Sequence, residues 1–105
     1  MTLREFEDNL KAACSGLVYE LSAPKAKNRY VVWHRYGGNS TYGDNRNVLD
    51  APKVQIDIVT QSAQDLLVDD VMAALWSMDL PYSIESEGYD PDYNAQRTIL
   101  QLVVI

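Results

Sequence analysis

The apolar residues of this chain change period along its length, and that constrains the fold more than any single motif. Leu3, Phe6, Leu10, Ala13 and Leu17 recur every three or four residues, the spacing of one helix face. Thr2-Leu3-Arg4-Glu5 has the T-x-x-E form of a capping box, and Gly16 supplies a stop. From Tyr30 to Tyr36 the chain is dense in β-branched and aromatic residues and reads as a strand. Its two faces are Tyr30, Val32 and His34 against Val31, Trp33 and Arg35. A polar loop over 37–47 follows, and then a cleanly alternating strand from about Val54 to Thr60, with Val54, Ile56 and Ile58 on one side and Gln55, Asp57 and Val59 on the other. The helical period returns over roughly Ala63–Met78, opened by Ser62-Ala63-Gln64-Asp65. Leu67, Val71, Leu75 and Met78 form its stripe, widened by Leu66 and Ala74. Pro81 ends that region. Tyr82–Glu87 alternates weakly, Gly88–Asn94 is rich in turn formers, and Arg97–Val104 reads as a final strand.

The predicted order is helix, strand, strand, helix, strand, strand. Consecutive strands joined by loops pair antiparallel, so the fold class is α+β: a roughly four-stranded, mainly antiparallel sheet with two helices packed mostly on one face. At 105 residues, with 47% hydrophobic, the chain suits a single domain over 1–105. Both faces of the sheet carry apolar groups. Thr98, Leu100, Leu102 and Val104 oppose Ile99, Val103 and Ile105, so the second face calls for cover. The Leu17–Leu21 segment or a partner subunit would supply it, and partial cover by a partner is the expectation.

Charge is unevenly placed. Residues 1–56 hold eight Lys/Arg and six Asp/Glu; residues 57–105 hold nine acids and one base, Arg97. An acidic half repels phosphates and lacks a polybasic patch for anionic lipid, so neither nucleic acid nor membrane is an expected partner. No apolar run approaches the ~20 residues that cross a bilayer. The opening Met1-Thr2-Leu3-Arg4-Glu5 is unlike a secretion signal, and the lone Cys14 cannot form an internal disulfide, so the expected compartment is cytoplasmic.

Chemistry is sparsely provided. Asp69 and Asp70 are neighbours on a helix and diverge by about 100°. Asp90-Pro91-Asp92 lacks the glycine and distal glutamate of a calcium loop. Gly37-Gly38 and Gly43 match no phosphate-binding pattern. His34 has no identifiable nucleophile or acid partner, and Cys14 falls near a buried stripe. Asp57 sits mid-strand, placed to meet a base across the sheet or an interface. No catalytic residue, cofactor or metal site is expected. Seven tyrosines and two tryptophans are the conspicuous resource, and such residues bury much area with few rotors at interfaces. The candidate interface residues are Trp33, Arg35, Tyr36, Tyr42, Arg46, Lys53, Tyr89, Asp90, Asp92 and Tyr93.

An ordered set of short segments carries a family resemblance across nearly the whole chain: Tyr30-Val31-Val32-Trp33, then Tyr42-Gly43-Asp44-Asn45, then Val54-Gln55-Ile56-Asp57-Ile58-Val59-Thr60, then Leu80-Pro81-Tyr82. It resembles the small tail completion or tail terminator (head–tail joining) proteins of long-tailed bacteriophages and prophages. The resemblance implies a non-enzymatic virion subunit that assembles into a ring, often hexameric. Such a ring stops growth of the tail tube and meets the head connector. The tail tube protein and head–tail connector proteins would be its partners, and the host cytoplasm and then the virion tail or neck its location. The alternative is a small Tyr-rich regulatory module that binds a soluble host protein.

Overall fold

The computed structural model describes residues 1–24, 28–38 and 51–104. The chain runs α1 (Leu3–Ala13), β1 (Val18–Glu20), β2 (Tyr30–Gly38), β3 (Pro52–Thr60), α2 (Leu67–Ser77), β4 (Tyr82–Asp90) and β5 (Ala95–Val103). The class is α+β, with a mixed sheet of five strands in the order β1-β2-β3-β5-β4. The fifth strand corrects the four-stranded expectation. Val18-Tyr19-Glu20 pairs parallel to β2, Tyr19 opposite Val32, so the 17–21 segment extends the sheet edge and does not cover a face. Three residues are too few for alternation to register.

The capping box at Thr2 forms as read. The Thr2 hydroxyl accepts from Glu5 N–H at 3.1 Å, and the Glu5 carboxylate accepts from Thr2 N–H at 2.8 Å. The bond from Thr2 N–H, with the Thr2 hydroxyl as the next contribution, holds the Glu5 carboxyl below its usual value. Both helices end in left-handed turns, α1 at Ser15 and Gly16 (φ 79°), the expected stop, and α2 at Asp79. Ser15 (φ 55°) precedes Gly16, whose N–H reaches the Lys11 carbonyl at 2.9 Å. Asp79 (φ 61°) precedes Leu80, whose N–H reaches the Leu75 carbonyl at 3.0 Å.

The second helix starts at Leu67, four residues later than the periodicity suggests. Asp65 explains the delay: its carboxylate accepts from Leu67 N–H at 2.9 Å and takes a two-pronged bond from Arg29, at 2.8 and 2.9 Å. Leu66 is therefore left exposed, outside the stripe. The fourth strand runs three residues further than read, through Gly88, Tyr89 and Asp90, and only 91–94 turn. Pairing to β5 overrides turn-like composition there, with Tyr89 opposite Gln96 and Asp90 opposite Ala95.

The core lies between the helices and one face of the sheet. Val31 and Trp33 of β2, Val54, Ile56 and Ile58 of β3, and Leu100 and Leu102 of β5 meet Phe6 and Leu10 of α1 and Leu67, Val71 and Leu75 of α2. Registers align these rows, Trp33 opposite Ile56 and Ile56 opposite Leu100. Trp33 fastens α1 to the sheet. Its ring meets Phe6 edge-on with centroids 5.6 Å apart, and its indole N–H donates to Glu7 at 3.1 Å.

Candidate interaction surface

The face of the sheet away from the helices carries a connected polar ladder. Odd positions of β3 and β5 point there, which puts Gln55, Asp57, Arg97 and Gln101 on one surface. Gln101 donates to Gln55 at 3.3 Å, and Gln55 donates to Asp57 at 2.9 Å. Arg97 then bridges two carboxylates, giving one N–H to Asp57 at 2.6 Å and another to Asp90 at 3.0 Å. The Tyr93 ring lies 4.4 Å from the guanidinium carbon and caps it as a cation–π lid. The third N–H direction of Arg97, at Nε, is buried without a partner. Burial alone would lower the Arg97 pKa, but the bonds to Asp57 and Asp90 carry it above the ordinary arginine value. Tyr30, at the margin, is pushed up by burial and by the proximity of Tyr93.

A shallow cavity of about 370 Å³ opens over this ladder between Leu21, Tyr30, His34 and Tyr93. His34 is half-buried in its wall. Cys14 is buried, and desolvation raises its thiol to about 11, which keeps it protonated and unreactive. Among the described residues no group of His, Cys, Asp and Glu is arranged to hold a metal ion. No described helix is long and apolar enough to cross a membrane.

The candidate interface residues fall into separate places. Trp33 is 3% exposed and belongs to the core, so it offers little to a partner. Tyr42 and Arg46 lie outside the described residues. Arg35 and Lys53 are exposed at one end of the sheet, where Arg35 is opposite Val54 and Gly37 is opposite Lys53; Tyr36 is exposed between them in sequence. Tyr89, Asp90, Asp92 and Tyr93 gather at the other end, around the β4–β5 turn. Asp90 is already engaged by Arg97, and its other oxygen accepts from Asp92 N–H at 2.9 Å. Tyr89 donates its hydroxyl to Asn94 at 2.6 Å.

The residue that sequence reasoning overlooked is Arg97. Its signal was present: it is the one base among nine acids in residues 57–105, and Asp57 two strand positions away needed a base. Set against models of known protein families and against curated proteins, the chain matches none.

Proposed function

We propose that this chain is a non-enzymatic assembly subunit, a tail completion or tail terminator protein that forms a ring at the head-proximal end of a phage tail. The observation that supports this reading is the polarity of the sheet. Bases Arg35 and Lys53 stand at one end of the strands and acids Asp90 and Asp92 at the other. Lys53 and Thr60 bracket that length on β3, and seven residues of extended chain span roughly 23 Å. Among the described residues no ion pair closes across that distance. Two copies in head-to-tail contact bring the clusters together, and such heterologous contacts generate rings when the rotation closes. Exposed Tyr36, Tyr89 and Tyr93 flank the same two ends and supply apolar area beside the charges.

The reading is tested by deleting the gene from its parent phage and imaging the particles. Heads without tails, or unjoined tails of abnormal length, are expected; normal infectious particles would remove the virion role and favour a soluble host partner. Lys53→Glu, Arg35→Glu and Arg46→Glu should each impair complementation of the deletion while leaving the melting curve of the purified protein unchanged. Full complementation by all three would eliminate the proposed charge contact.

A further inference from the structure

The helical layer is too narrow for its sheet. Five strands at about 4.8 Å spacing span roughly 24 Å, whereas two helices packed about 9 Å apart cover roughly 20 Å. One strand must stay bare. It is not β1, because Val18 is buried. It is β4, which has no buried residue and is exposed continuously from Ser83 to Tyr89.

The bare strand is not patterned for water on both sides. Register with β5 puts Tyr82 opposite Leu102, Ile84 opposite Leu100 and Tyr89 opposite Gln96, all on the face the helices occupy. Ser83, Ser86 and Gly88 take the opposite face, opposite Gln101, Ile99 and Arg97. The apolar side chains of β4 therefore project into the place where a third helix would lie. The wall beside them is α2, whose Trp76 is 83% exposed and borders a cavity of about 300 Å³ with Pro81 and Tyr82. Ile84, 48% exposed, continues that floor along β4.

The rim of this ledge is acidic. Glu87 lies opposite Thr98 on the same sheet face, Asp79 lines the cavity, and Asp69 lies seven residues before Trp76, on the same flank of α2. A second copy seated face to face would set these acids against themselves, which disfavours self-pairing here. A strand added to the outer edge of β4 would meet the bulge between Ile84 and Ser86 and the distorted backbone of Gly88 (φ 142°), both devices that blunt an edge. We propose that the ledge between Trp76 and the helix-side face of β4 docks an amphipathic helix of a partner protein, one whose apolar stripe is flanked by Lys or Arg. That helix completes the layer over the sheet, and its bases meet Asp69, Asp79 and Glu87.

The test uses three fluorescently labelled peptides of about five helical turns. The first has leucine at helical spacing with flanking lysines. In the second, glutamates replace the lysines. The third has the composition of the first in strict alternation. The first should bind the intact protein saturably and shift Trp76 emission to the blue, with buried Trp33 as the unchanging background. The other two should bind at least tenfold more weakly. Trp76→Ala and Ile84→Ser should each weaken binding of the first at least fivefold, and circular dichroism should verify that both variants remain folded. Equal binding of the alternating peptide would replace the helix with strand addition or plain charge attraction. Undiminished binding to both variants would put the contact elsewhere. Either result overturns the proposal, and neither bears on whether the chain assembles into rings.

Discussion

Replacing Arg97 by glutamine tests whether the polar ladder holds the open face together or merely decorates it. The guanidinium bridges Asp57 and Asp90 with side-chain exposures of 22%, 15% and 23%, so the trio is neither surface-exposed nor fully buried. Exposed pairs contribute about 0–1 kcal/mol, and breaking a buried pair costs about 3–5 kcal/mol because one charge is left uncompensated. The intermediate burial points to about 2 kcal/mol. Loss of the contact with Tyr93, 4.4 Å away, adds roughly 0.5 kcal/mol. The retained glutamine amide offsets little, since it can satisfy one carboxylate but neutralise neither. In urea, with a slope near 1 kcal/mol/M for a domain of this size, the midpoint of Arg97→Gln should fall by about 2.5 M. Trp33, buried against Phe6, reports the transition by fluorescence. Asp57→Asn alone should cost about 1 kcal/mol, and the double variant should fall short of the sum by about 1 kcal/mol, because the two share one interaction. Strict additivity, or a midpoint change under 0.5 M, would refute the argument. So would a loss of the whole effect in high salt, which screens exposed pairs and not enclosed ones.

Two further expectations follow from local geometry. Arg29 holds the Asp65 carboxyl below its ordinary value, so this pair stabilises the fold above the unfolded carboxyl pKa near 4 and loses that contribution as pH falls through the lowered folded value. The stability gap between the parent and Asp65→Asn should therefore be widest near neutrality and narrow below pH 4, and a gap constant from pH 7 to pH 3 would show that the charge of Asp65 is immaterial. Asp79 holds a left-handed conformation at the end of α2, so Asp79→Gly should raise stability by about 0.5–1 kcal/mol in thermal melts. A lower melting temperature would mean that the Asp79 side chain does more for the fold than its backbone costs.

Much of this architecture was legible because period and capping are local. The Thr2–Glu5 box, the Leu67–Val71–Leu75 stripe and the alternation of Val54, Ile56 and Ile58 each depend on a few neighbouring residues, and each formed as read. Asp57, placed mid-strand to meet a base across the sheet or an interface, meets Arg97 across the sheet. What escaped was set by distant pairing. Val18–Glu20 becomes a strand because β2 accepts it in parallel. Gly88–Asp90 is extended because β5 holds it, and its composition alone reads as a turn. The start of α2 moved because Arg29, thirty-six residues earlier, engages Asp65. Trp33, a residue type favoured at interfaces, instead links α1 to the sheet, a contact set by Phe6 and Glu7 far from it in sequence.

The strand order also governs how the sheet comes together in time. The β2–β3 and β4–β5 pairs join neighbouring strands of the chain, whereas β3 and β5 pair residues between 36 and 50 positions apart. Closing so long a loop carries an entropic cost that must be met before any of those bonds form. Until then β3 and β5, the two strands with the most buried residues, each hold a bare edge. We expect the β3–β5 docking to be the slow step of folding, and the interval before it to be when the chain is most exposed to pairing with a stranger.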